Sequence, residues 1–335
     1  MGMIPRSPRA SQPKPWRDAL RDAPSDPETF AKTLDLPAAS VSPDAARDFA
    51  FRVPPAFAAR IEPGNPDDPL LRQVLPAPEE MSAHPGFGAD PVGDLEARRA
   101  PGLLHKYRGR VLIVTTGACA IHCRYCFRRH FPYAAETASR VRWGPALAYV
   151  RSHPDVREVI LSGGDPLLLP TARLAALGEA LEAIDPVRTL RIHTRVPVVL
   201  PERVTEDLAA WLARLRLRRV VVVHVNHARE LGPEAGDALR RLARAGATLL
   251  NQSVLLRGVN DDEDTLAELS ETLFDHGVLP YYLHLLDPVA GAAHFEVDEA
   301  RARGLAAGLR ARLPGYLVPR LVRESRGEPY KMPVL

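Results

Sequence analysis

Three cysteines, the only ones in a chain of 335 residues, fall at Cys119, Cys123 and Cys126 in the segment GACAIHCRYCFRRHF. A secreted disulfide framework uses an even number of cysteines spread along the chain, so this C-x3-C-x2-C cluster points to metal. Zinc in a structural site takes four ligands, and a Cys3His site completed by His122 or His130 is one reading. The other is an iron–sulfur cube. Electron-transfer cubes are held by four thiolates. Three thiolates leave one iron without a protein ligand, open to a substrate or cofactor.

Elements of alternating type must position this cluster. From about residue 108, short β-branched or apolar runs alternate with helix-period stretches such as TARLAALGEALEAI and DTLAELSETLFDHG. The runs are VLIVTT (111–116), REVILS (157–162), TLRIHT (189–194), VVVVHVN (220–226), TLLNQSV (248–254) and YYLHLL (281–286). Six strand–helix units in tandem predict a parallel sheet, and the count fits a partial α/β barrel better than a closed eightfold one. Chemistry in such folds sits at the C-terminal ends of the strands. Polar residues collect there: the cysteines after the first run, Gly163, Gly164 and Asp165 after the second, Arg195 after the third, His224 and Asn226 in the fourth, Gln252 in the fifth and Asp287 after the sixth. The Gly163-Gly164 pair allows a close backbone approach.

Residues 1–20 are rich in Pro, Ser and Arg and are expected to be poorly ordered; 21–100 read as a helical N-terminal region, with helices over 27–35 and 43–52. PAPEEMSAHPGFGADPVGD reads as a linker or ordered loop. The barrel is assigned to 101–315 and a C-terminal segment to 316–335. The net charge of +3 is small, and basic residues interleave with acids, which argues against a nucleic-acid partner. No stretch approaches the roughly 20 apolar residues of a membrane span. No apolar core follows the basic N-terminus as in a secretory signal, so a cytoplasmic location is expected.

The cysteine array in the loop after the first barrel strand, with Tyr125 before the last cysteine, resembles the radical S-adenosylmethionine superfamily. HKYRGRVLIVTTGACAIHCRYCFRR, SGGDPLLL, RIHTRVPVVLP, HVNHARE, NQSVLLRGVND and YYLHLLDPVAGAAHF, in this order and spacing, resemble the lysine 2,3-aminomutase family. GYLVPRLVRESRGEPYKMPVL resembles its shorter bacterial branch, which serves β-lysylation of elongation factor P.

The resemblance implies an α/β fold: a partial (β/α)6 radical S-adenosylmethionine barrel with a small helical N-terminal domain and a C-terminal tail carrying the pyridoxal phosphate lysine. It implies three cofactors, a [4Fe–4S] cluster on Cys119, Cys123 and Cys126, S-adenosylmethionine, and pyridoxal 5′-phosphate. Gly163, Gly164 and Asp165 would hold the methionine portion of S-adenosylmethionine through backbone contacts, and Gln252 would lie in the cofactor layer. Lys331 would carry pyridoxal phosphate, Lys106 and Tyr107 would contact its phosphate, and Arg195 would assist them. Arg128 would grip the substrate carboxylate, while Asp287 and Glu324 would receive the distant ammonium of lysine. Glu324 departs from the free-lysine mutases, where aspartate is usual, which bears on substrate specificity.

The implied activity is conversion of α-lysine to β-lysine, with an electron donor such as flavodoxin or ferredoxin. Elongation factor P and its lysyl-transferring enzyme are the implied functional partners. The longer clostridial-type enzymes carry further zinc-binding cysteines that this chain lacks, and a homodimer is left open. The competing readings are an aminomutase for another amino acid or for metabolic lysine, and a non-enzymatic iron–sulfur or zinc protein.

Overall fold

The alternating runs become one ten-stranded sheet in the computed structural model, which describes residues 15–136 and 143–335. Strands β1 (Arg98–Ala100) and β2 (Leu103–Tyr107) pair antiparallel and lead into β3 (Arg110–Thr116). From there β4 (Glu158–Gly163), β5 (Thr189–Thr194), β6 (Arg218–Val223), β7 (Thr248–Val254), β8 (Leu279–His284) and β9 (Arg320–Arg323) each run parallel to the strand before. β10 (Met332–Pro333) turns back antiparallel on β9. The helices Trp143–Ser152, Thr171–Glu182, Glu206–Arg214, Pro233–Arg244, Glu263–Asp275 and Glu299–Arg312 connect the parallel strands. The six expected strand–helix units are therefore present as β3–β8, and β9 adds a seventh parallel strand.

Side chains alternate across the sheet because successive Cβ atoms point to opposite faces. In β3, β4 and β5, residues Val111, Ile113, Val159, Leu161, Leu190 and Ile192 are buried and share one core cluster with Leu147, Leu174, Leu177 and Leu181 of the helices. The intervening positions, Leu112, Ile160, Arg191 and His193, line a cavity on the other face. One strand therefore supplies both the core and the functional lining.

The N-terminal region is helical in short pieces, Pro27–Thr33 and Pro43–Asp48 among them, each with Pro at its first position and a side-chain N-cap from Asp26 or Ser42. Its apolar residues Phe30, Phe51, Phe57, Leu70 and Val74 belong to the same core cluster as the barrel strands. The disorder expected to residue 20 is corrected at its end, because Trp16–Arg21 is a helix with Ala19 buried and Trp16 stacked under Arg203; residues 1–14 lie outside the described residues. The segment read as a linker is ordered. It places Pro78–Met81 in a 3-10 turn and pairs Gly88 with Val289. No helix among the described residues is long and apolar enough to cross a membrane.

The firmest tie between the two regions is electrostatic. Arg124, fully buried, donates from Nε and Nη2 to both oxygens of Glu80 at 2.8 and 2.6 Å and also to Phe49 O and Ala45 O. Arg129 Nη1 lies 2.9 Å from Glu80 Oε2. Removing one partner of a buried pair leaves an uncompensated charge. Glu80→Ala, which strands two buried guanidiniums, is expected to lower unfolding stability by about 3–5 kcal/mol in urea denaturation.

Candidate active site

The cavity at the C-terminal ends of the strands encloses about 270 Å³ and is lined at one end by Cys119, Cys123 and Cys126, and at the other by Lys106, Tyr107, Asp287, Glu324 and Lys331. Arg128, Gly163, Gly164, Asp165, Arg195 and Gln252 also line it, so every residue expected at the site faces one space.

The cysteines lie in the loop following β3, held from outside by the Arg124 clamp and by His122 N donating to Arg52 O. Burial, helped by the neighbouring thiols and Asp165, pushes the Cys119 thiol well above its usual range, and burial pushes Cys126 up to about 11. Three thiols in one loop are the donor set of a cube with one iron left without a protein ligand, each thiolate taking its own iron. Positive charge on bound iron would reverse the rise in thiol pKa, since a coordinating thiol is deprotonated.

The two glycines act on this loop. Gly163 has φ +122°, and a Cβ there would collide with Thr116 O; a Cβ on Gly164 would collide with Ala118 O. Gly164 N donates to Thr116 O at 2.7 Å and Asp165 N to Ala118 O at 2.8 Å. The close approach expected toward a ligand is thus made first to the cysteine loop itself, and those two N–H groups are already used. The Asp165 carboxylate accepts from Thr194 Oγ1 at 2.7 and 2.9 Å, Arg195 N at 2.8 Å, Leu167 N at 3.0 Å and Val196 N at 3.1 Å. Its side chain ties the end of β4 to the end of β5.

At the other end the charges alternate. Arg128 Nε donates to Asp94 Oδ2 at 2.6 Å and Nη1 to Ser162 Oγ at 3.0 Å. Lys106 Nζ bridges Asp94 Oδ1 at 2.6 Å and Glu324 Oε1 at 2.9 Å, and Lys331 Nζ donates to Glu324 Oε2. The register Met332↔Arg323 in the β9–β10 hairpin sets Lys331 across from Glu324. Although burial opposes it, the cations lower both Asp94 and Glu324. Asp287 has no such direct partner: burial, reinforced by Glu324, pushes its pKa up to about 7.

The structure gives Arg195, expected to assist at the phosphate, partners within the chain: it donates to Cys123 Sγ, with its backbone held by Asp165 and its fork by Gln73 and Glu230. It also shows partners that the sequence reading missed. Asp94 gave no local signal, being 34 positions from Arg128. His193 and His284 line the cavity with Nε2 unpartnered, and burial holds both well below the usual imidazole range. A signal for His193 existed, in the period-two alternation of Arg191 and His193 with the buried Leu190 and Ile192. His224, singled out in the sequence, stacks on Tyr125 at 5.6 Å, and burial lowers it to about 3.

Comparison with known proteins decides the family. Residues 113–269 match the Radical SAM superfamily profile. The chain is 49% identical over 322 residues to the L-lysine 2,3-aminomutase of Escherichia coli K12, covering 95% of this chain and 94% of that protein. It is 45% identical over 333 residues to the L-lysine 2,3-aminomutase of Haemophilus influenzae, covering 99% and 98%. The chain belongs to the lysine 2,3-aminomutase family of radical SAM enzymes. The enzyme of that name from Clostridium subterminale is 36% identical over 290 residues, 86% of this chain and 70% of the longer relative. The family uses a [4Fe–4S] cluster, S-adenosylmethionine and pyridoxal phosphate, and the donors around this cavity fit all three: three thiols in one loop, a lysine with a second cation beside it, and unpartnered buried imidazoles in the wall. Gly164→Ala is expected to displace the cysteine loop and reduce iron content after anaerobic reconstitution, measured as iron per chain against the unaltered protein.

Proposed function

We propose that this chain is an L-lysine 2,3-aminomutase that makes β-lysine for attachment to elongation factor P. The observation that carries the reading is one cavity with three thiols at one end and, at the other, a lysine beside alternating buried charges. The match to the two shorter relatives runs nearly end to end, which supports the shorter branch over the clostridial type.

In this reading Cys119, Cys123 and Cys126 hold the cluster, Gln252 and the Gly163–Asp165 turn border S-adenosylmethionine, Lys331 holds pyridoxal phosphate, and Lys106 and Tyr107 meet its phosphate. When bound, these groups supply a carbon-centred radical that can remove an unactivated hydrogen and a conjugated ring that lets an amino group migrate. The residues of the chain bind, orient and exclude water. Arg128 pairs with the substrate carboxylate, for which its planar fork is suited. Asp94 accepts from Arg128 Nε and orients the guanidinium.

Glu324 pairs with Lys106 and Lys331. Lys106 would hold the phosphate of the cofactor and Lys331 its aldehyde carbon, which would give both amines partners other than Glu324. Its carboxylate, beside Asp287, would then face the side-chain ammonium of lysine. Burying an ammonium there requires that counter-charge.

Anaerobic turnover of the reconstituted protein with L-lysine, read by chromatography of β-lysine, tests the activity. Glutamate and ornithine as substrates separate it from related mutases, and mass spectrometry of elongation factor P in cells with and without the chain tests the destination. Lys331→Ala is expected to lose the visible absorbance of bound pyridoxal phosphate while keeping its iron; normal loading would reject the role of Lys331. Because Asp287 titrates near 7 and pairs with an ammonium only when ionised, lysine affinity is expected to fall below that pH, by up to about tenfold per unit. Asp287→Asn should bind lysine more weakly and with a flatter pH dependence in equilibrium titrations of the unreduced, cofactor-loaded enzyme.

A further inference from the structure

The Arg195 side chain is only 6% exposed and makes three hydrogen bonds within the chain. Nη1 donates to Cys123 Sγ at 2.8 Å. Nη2 donates to Gln73 Oε1 at 2.6 Å and to Glu230 Oε2 at 2.8 Å. The guanidinium lies over the rings of Phe57 at 5.3 Å and Tyr125 at 5.8 Å, so water does not screen it. Glu230 is itself fully buried and fixed by Asn226 N at 2.9 Å and Gln73 Nε2 at 3.1 Å. The pair is neutral overall yet strongly oriented, with its positive end on the sulfur and its negative end behind it.

We propose that Arg195, held by Glu230 and Gln73, is a positioning residue that sets the reduction potential of the cluster through a charge-assisted hydrogen bond to the Cys123 sulfur. This inference rests on the assignment of the cluster to the three cysteines. The step concerned is a one-electron transfer: a low-potential one-electron carrier is oxidised and the cluster core passes from 2+ to 1+, with no bond formed or broken. The added electron increases negative charge on the iron-bound sulfurs. A donor aimed at one of them in a site of low dielectric stabilises the reduced form and raises the potential, since hydrogen bonds to cluster sulfurs and local charge are the protein's levers on it. Gln73 comes from the N-terminal region, so that region takes part in tuning the cluster as well as covering it.

The test is a redox titration of the reconstituted full-length protein, monitored by electron paramagnetic resonance of the reduced cluster, without S-adenosylmethionine. Arg195→Gln removes the positive end and leaves Glu230 in place, so the midpoint should shift to a more negative potential. Arg195→Lys keeps the charge but cannot span Cys123, Gln73 and Glu230 together, and should shift less in the same direction. Midpoints equal to the unaltered protein's in variants with full iron and sulfide content would overturn the proposal, and weakened S-adenosylmethionine binding beside unchanged midpoints would make Arg195 a ligand for that cofactor's carboxylate instead. Should Arg195→Gln fail to fold, the unaltered protein labelled with guanidino-15N-arginine decides the matter. Pulsed resonance should then show a 15N coupling to the reduced cluster that is lost in Arg195→Lys, and absence of that coupling counts against the hydrogen bond. Unaltered protein without iron would defeat both the inference and the cluster assignment beneath it.

Discussion

The site depends on a single buried carboxylate, Glu80, that holds two arginines of the cysteine loop. Arg124 sits between Cys123 and Cys126, and Arg129 follows three residues after Cys126. A loop of this length has no ladder of its own to fix it, and its closure entropy must be offset by contacts made elsewhere. The bidentate Arg124–Glu80 pair provides them in a space without water, with backbone carbonyls of residues 45 and 49 taking the remaining guanidinium protons. A buried ion pair is weak evidence for stability, because desolvation opposes attraction. Its value here is directional. The planar fork fits the carboxylate in one geometry and so fixes where the thiols on either side can point.

The same principle of paired, oriented charge recurs across the cavity in two arrays. On the cluster side, Glu230, Arg195 and the Cys123 sulfur form a fixed line among apolar rings. On the lysine side, Arg128, Asp94, Lys106, Glu324 and Lys331 alternate in sign, each paired with a neighbour of opposite charge. The difference suits the two tasks. A redox centre gains from a field that does not reorganise as the electron arrives. A site that is to bind charged groups needs its own buried charges paired, since a bare buried ion is costly.

The barrel was legible because its strands are apolar enough to announce themselves, and the cysteine array because its spacing has few other uses. What escaped lies where pairing partners are remote or the elements are short. β9 has four residues and β10 two, too few for periodicity to register. β1 lies at the end of the stretch 21–100 read as helical, and β2, with His105 and Lys106, lacks the continuous apolar run that marked the other strands. Asp94 sits in a Gly/Pro/Asp-rich stretch that local chemistry marks only as a turn, and its burial is imposed by Lys106 and Arg128 together. Arg195 was found, but its contact with Cys123 was not, because position after a strand says that a side chain reaches the mouth and does not say which wall it meets.

The Ser162–Asp165 turn shows why that wall was fixed as it is. Its glycines have no side chains, and the cysteine loop lies directly against their backbone. Its aspartate receives the amide of Arg195, and the serine before it supports Arg128. These four neighbouring residues therefore set the distance between the thiols and the Arg195 guanidinium and hold the Arg128 fork beside them. A methyl group on Gly164 would press on Ala118 O and so on the cysteine loop, whereas replacing the aspartate would release the Arg195 backbone while Gln73 and Glu230 still hold its fork. The turn therefore works as a spacer between the cysteine loop and the guanidinium that faces it.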